Sequence, residues 1–171
     1  MAGSFIRTLA LGADSDEFWA HYRKYHAART RLGKLFHSYR CQRICHQLGA
    51  SIPVSAEIKD RVTFPHGLAG VFISQNAVLG SGCVIFQQVT IGSNTLPDAK
   101  NPGSPTIGNN VYIGAGAKII GHVTVGDNCR IGANCVVFED VPANSTVVLP
   151  KPRVIPHDVP LDNRFIRKSE I

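Results

Sequence analysis

The residues of this 171-residue chain best able to do chemistry are its seven histidines and five cysteines. A neutral imidazole can take a proton near pH 7, and a thiolate can attack a carbonyl or hold a metal. Spacing sorts these residues. Cys41, Cys45 and His46 lie together in a helical stretch, which is half a metal site at most, because no second pair has ligand spacing. No metal is expected. Cys83, Cys129 and Cys135 stand where the surrounding pattern otherwise has Ala or Val, so they read as small buried hydrophobes. His122 falls inside a regular unit and reads as a solvated wall residue. His66 differs. It sits in Phe64-Pro65-His66-Gly67, at a break in an otherwise regular run. Taken alone, it is either an ordinary turn histidine or a general base lifted out of a regular wall.

The regular run is a six-residue rhythm. Ile107, Ile113, Ile119, Val125, Ile131 and Val137 open successive units, and Ala, Val or Cys fills the fifth place, Val141 being the last. Upstream, Ile73, Leu79, Ile85 and Ile91 open four units, and Ile52, Ile58 and Phe64 open three. A fixed short period of this kind marks a β-helix. Three units close one triangular coil, and each coil buries its opening aliphatics against those of its neighbours. The rhythm breaks twice. Three extra residues fall between Phe64 and Ile73, and ten between Ile91 and Ile107, among them Pro97, Pro102, Gly103 and Pro105. A packed coil accepts such excess only as loops on its surface. One coil of eighteen residues plus the first insertion sets Gln87 directly above His66. There it either positions an acceptor, holds one imidazole tautomer, or belongs to a structural amide ladder.

The elements that must hold this wall follow from composition. Residues 1–50 read as a helical arm, 51–148 as the β-helix with a loop at 93–106, and 149–171 as a tail. Asp14 or Ser15 can cap a first helix that carries Phe18, Trp19, Tyr22 and Tyr25. A second helix is expected from about Thr30 to Leu48, with Leu32, Leu35, Phe36, Tyr39 and Leu48 docking on the first coil and Gly49 as the stop. The net charge of +6 is concentrated at the two ends. Basic ends suit a membrane surface, an anionic or lipid-linked glycan, or cofactor phosphates, and equally suit plain solvation. No apolar run is long enough to span a membrane. Residues Met1 to Asp16 lack the layout of a signal peptide. Five free thiols then suit a reducing, cytoplasmic compartment. Nothing points to nucleic acid.

From about Ile52 to Ile155 the chain resembles the left-handed β-helix acyltransferases of the hexapeptide-repeat superfamily, and within them the serine acetyltransferase branch with its glycan-modifying relatives. The resemblance rests on Phe64-Pro65-His66-Gly67, Ile85-Phe86-Gln87-Gln88-Val89-Thr90-Ile91-Gly92, Pro105-Thr106-Ile107-Gly108, Ile113-Gly114-Ala115-Gly116-Ala117-Lys118 and Lys151-Pro152-Arg153. It implies an all-β left-handed parallel β-helix behind a short N-terminal helical segment. It implies an acetyl-CoA-dependent O-acetyltransferase with His66 as general base, acting as a homotrimer. Ser93, Ala115 and Ala133 would lie along the pantetheine arm of CoA, with Arg130, Lys151 and Arg153 toward its phosphates.

The departures bear on the acceptor. Two carboxylates that the branch uses near its base fall here on Pro65 and Ser51, and an Arg-His pair falls on Gly103-Ser104. A zwitterion needs charged partners, whereas a sugar needs only neutral donors and acceptors. Ser51, Asn76, Gln87 and Ser104 could supply these, so a sugar hydroxyl of a surface polysaccharide or its precursor is the expected acceptor. Serine O-acetylation is the alternative, favoured by the terminal Ile171. An inactive β-helix binding module is the other. A carbonic anhydrase on the same scaffold would need three coil histidines, and only His66 and His122 lie there.

Overall fold

The structure is a computed structural model that describes residues 15–164. Asp14, one of the two expected caps, the segment before it, and Ile171 lie outside those residues.

Two helices come first. α1 runs Ser15–Ala27 with Asp16 and Glu17 in its first turn, where carboxylates favour the helix dipole. α2 runs Arg31–Gln47. The Thr30 hydroxyl caps it by accepting from the Gly33 amide at 3.1 Å. Gly49, at φ +63°, turns the chain out of it.

Twelve short strands follow, two or three residues each: β1 Glu57–Ile58, β2 Phe72–Ile73, β3 Val78–Leu79, β4 Val84–Ile85, β5 Thr90–Gly92, β6 Thr106–Ile107, β7 Tyr112–Ile113, β8 Lys118–Ile120, β9 Thr124–Val125, β10 Arg130–Ile131, β11 Val136–Val137 and β12 Thr146–Val147. They form three parallel four-stranded sheets, ordered β1-β3-β6-β9, β4-β7-β10-β12 and β2-β5-β8-β11. Consecutive strands always lie in different sheets, so the chain winds as a three-sided, left-handed coil.

The register repeats the sequence arithmetic. Phe72 pairs with Thr90, and Lys118 with Val136, eighteen residues on. Glu57 pairs with Val78, three residues longer, across the His66 insertion. Thr90 pairs with Lys118, ten longer, across the second loop. The last coil departs from expectation. Val125 bridges Val141, sixteen residues on. Val141 therefore stands in the opening position of its unit and not in the fifth place, because two residues are missing after Phe138.

Ile85, Ile91, Ile113, Ile119 and Ile131 are fully buried, and so are Cys83, Cys129 and Cys135 in the fifth place. The Cys83 thiol points at the Gly108 carbonyl, 3.3 Å away in the next coil. Cys41 and Cys45 are buried as well, and His46 is exposed. Burial pushes the Cys41 thiol up to about 12. Among the described residues no three His, Cys, Asp or Glu side chains gather as a metal site, and no helix is long and apolar enough to cross a membrane.

The helical arm docks differently from the expected stripe. Trp19 stacks on Phe64 at 6.1 Å between centroids, and the Tyr22 hydroxyl donates to the Ala56 carbonyl at 2.8 Å. From α2, Cys41, Ile44 and Cys45 are buried. Leu32, Leu35, Phe36 and Tyr39 instead face outward, 80, 66, 56 and 55% exposed. α1 already supplies the aromatic surface that covers the first coil, so α2 packs on α1 through its smaller side chains.

Candidate active site

The coil has three corners, and the expected site residues fall mainly on two of them. The first corner lies between the β4-β7-β10-β12 sheet and the β2-β5-β8-β11 sheet. It stacks the His66 loop, then Gln87-Gln88, then Ala115-Gly116, then Ala133-Asn134. The backbone locks these layers together. The Gln88 amide donates to the Ala69 carbonyl at 2.9 Å, Gly116 to Gln87 at 3.0 Å, and Asn134 to Ala115 at 2.9 Å. Gln88, Gly116 and Asn134 all turn with positive φ, at 62°, 72° and 58°. Gly and Asn adopt that region readily, and Gln less so. The inserted residues pass close over this turn. A β-carbon on Gly70 would come within 3.2 Å of the Gln88 α-carbon.

His66 is exposed at the mouth of this corner. Its Nδ1 lies 2.8 Å from Gln87 Oε1, as the coil arithmetic anticipates. An amide oxygen only accepts, so Nδ1 carries the proton in this arrangement and Nε2 keeps its lone pair. The ring edge meets Phe86, with centroids 5.3 Å apart, and Phe86 packs on Tyr112. One cation belongs to the same corner. Lys118 Nζ donates to the Gln88 carbonyl at 3.0 Å and to the Gly116 carbonyl at 2.6 Å. Sequence reading missed it. The signal was available: along the outward row Ser51, Phe72, Thr90, Lys118, Val136, it is the one charged side chain.

The second corner is one sheet away. Asn76 lies in its upper turn, and the inserted loop emerges below. That loop is pinned at its base by a pair of bonds between Asn94 and Gly103, each 2.8 Å. The hydroxyls of Ser93 and Ser104 meet at 2.6 Å beside that pair. Ser93 is therefore not on the corner of Ala115 and Ala133. Six residues separate Gln87 from Ser93, on the order of 18 Å of extended chain. Ser51 bridges Phe72 at the start of the shared sheet. Arg130 points out from the next sheet into an open groove of about 380 Å³ with Asn110, Tyr112 and Asn128. Lys151 and Arg153 are exposed in the segment after β12.

Known proteins share this fold. Residues 104–139 match the family described as bacterial transferase hexapeptide (six repeats). The chain is 32% identical over 157 residues to a serine acetyltransferase of Staphylococcus aureus, covering 86% of this chain and 67% of the relative. It is 42% identical over 107 residues to that of Synechococcus elongatus, 63% of this chain and 43% of the relative. The solved Neisseria gonorrhoeae serine acetyltransferase in complex with serine superposes with a TM-score of 0.59 at 32% identity, over 80% of this chain and 54% of that one. The chain thus spans between about two fifths and two thirds of the length of these relatives.

These likenesses overturn the expected sugar acceptor, since the relatives are serine acetyltransferases and one was solved with serine. The physical error lay in testing four positions for charge and treating the site as neutral once they were empty. Lys118 brings an ammonium to the His66 corner from a different strand.

Proposed function

We propose a function from one premise: this chain belongs to the serine acetyltransferase branch of the hexapeptide-repeat acyltransferases. It transfers the acetyl group of acetyl-CoA to the hydroxyl of L-serine. The observation that carries this is an imidazole at an open corner with Nδ1 engaged and Nε2 free. The serine hydroxyl gives its proton to His66 Nε2 while its oxygen attacks the thioester carbonyl. The C–O bond forms, the C–S bond breaks, and the thiolate of CoA takes the proton back from Nε2. The products are O-acetylserine and CoA. Lys118 offers the fixed positive charge at this corner for the serine carboxylate. Ala115 and Ala133 leave room for the pantetheine arm, and Arg130 is exposed on β10, the strand that leads into Ala133.

The active form is a homotrimer. His66 and the Ser93–Ser104 loop sit on corners separated by a whole sheet, so one prism cannot close them on a single acceptor. A neighbouring copy turned by threefold symmetry can present its loop to the His66 corner.

The test is thiol release from acetyl-CoA with L-serine and with a panel of hexoses, N-acetylhexosamines and nucleotide sugars. Serine should have the highest specificity constant by more than tenfold. His66→Ala should lower turnover at least about a hundredfold and leave CoA affinity unchanged. A sugar acceptor that outperforms serine, or a chain that neither releases thiol nor binds CoA, would sink the proposal.

A further inference from the structure

His66 can take a proton at Nε2 only if the hydrogen of its neutral ring sits on Nδ1. Either nitrogen can carry the hydrogen of the neutral ring, and the partner at the other end chooses. Here the partner is one side chain. Among the described residues, no carboxylate bonds the His66 ring; Gln87 Oε1 does, at 2.8 Å.

The contact is built, not incidental. Gln87 and His66 belong to adjacent layers that are bonded backbone to backbone on either side of it. Gln88 donates to Ala69, Gly67 closes its own turn onto Phe64 at 3.1 Å, and Gly70 donates to Gly49 at 3.1 Å. The carbonyl of Gln87 is itself held by Gly116. The next residue, Gln88, adopts a positive φ that the same turn elsewhere gives to Gly116 and Asn134. Conformations of that kind persist where the surroundings enforce them. Phe86 meets the imidazole edge-on at an interplanar angle of 87°, which limits rotation of the ring away from the amide.

We propose that Gln87 is the positioning residue of this site: it accepts from His66 Nδ1–H and so fixes the tautomer whose Nε2 takes the acceptor proton. The inference rests on His66 being the base and adds what sets its tautomer and its strength. A neutral amide steadies the imidazolium less than a carboxylate in the same position would.

The experiment compares Q87A, Q87E and H66A in the full chain, with activity against acetyl-CoA and L-serine and with ¹⁵N spectra of the histidine rings. In the unaltered protein the His66 ring should show the Nδ1–H form. Q87A should lower kcat at least about 10- to 100-fold, the scale on which removing the partner that orients a metal-bound histidine acts. Its KM for acetyl-CoA should stay within about twofold, and the single tautomer should be lost. Q87E should retain most of the turnover and move the acid limb of the kcat/KM profile to higher pH. Wild-type turnover and an unchanged ring spectrum in Q87A, with H66A inactive, would overturn the role of Gln87 alone. An Nε2–H ring in the unaltered protein would also overturn it. Turnover that survives H66A would remove the base, and this proposal with it.

Discussion

The coil and the helical pair handle their apolar residues in opposite ways. Along the coil every large opening aliphatic from Ile85 to Ile131 is buried, and the outer wall is mostly polar. On α2 the large apolar residues Leu32, Leu35, Phe36 and Tyr39 point out, while Cys41, Ile44 and Cys45 point in. The difference lies in what the backbone period determines. A closed coil has one inside, so a residue type at a fixed place in the hexad decides its burial. A helix has a face but no fixed partner, and two faces of α2 compete. α1 had already covered the first coil with Phe18, Trp19 and Tyr22, so the thinner face of α2 could pack closely and the bulkier one was left over.

The sharpest test of this contrast is a matched pair of truncations. Ile113→Ala removes a fully buried side chain from the middle of the coil and should cost about 2–5 kcal/mol, the usual range for such cavities. Leu35→Ala on the outward face should change stability by no more than about 0.5 kcal/mol. Urea unfolding of both variants checks this. A large loss at Leu35 would mean that the face is covered in the assembled protein, and the contrast between the regions would fail.

How much was legible follows the same division. The hexads fixed the strand register from Ile52 to Val137, including both insertions, because coil length is conserved wherever the chain does not loop out. That is why the spacing alone sets Gln87 over His66. The shortened last coil was not legible, since Val141 suits either the opening or the fifth place by residue type. That Ser93 lies on a different corner from Ala115 and Ala133 was not legible either. Small residues at Ser93, Ala115 and Ala133 look alike in sequence, and only the corner assignment separates them. Lys118 was passed over because its neighbours in the hexad explain Ile119 and Ala117 and say nothing of where a long side chain ends.

The junction between the two regions gives a smaller effect. The Tyr22 hydroxyl donates to the Ala56 carbonyl and is buried with it. Tyr22→Phe keeps the ring and leaves that carbonyl without its donor, which should cost about 1 kcal/mol. Trp19 and Phe64 should remain stacked, so tryptophan fluorescence should be unchanged while the denaturation midpoint falls. A midpoint equal to wild type would mean that the arm is held to the coil by apolar contact alone.

The smallest effect is on the outer wall of the coil, and it can be read by pH. Asp127 accepts from the Asn109 backbone amide at 2.6 Å and from the Asn109 side chain, joining two successive coils. The bond from that backbone amide, then the one from the side chain, hold the Asp127 carboxyl below the usual carboxylate range. A group whose value is lowered by folding binds fewer protons in the folded state than in the unfolded one. Its contribution is therefore complete above the unfolded value, about 3.9 for Asp, and is lost as pH falls through the lower folded value. Asp127→Asn keeps an acceptor of similar shape but removes the charge. The variant should be slightly less stable than wild type at pH 7, with the gap closing as the solution is taken toward pH 3. Denaturant midpoints of both proteins at the two pH values check it. A gap that stays constant across that range would mean that the charge contributes nothing and that the hydrogen bonds alone join the coils at this corner.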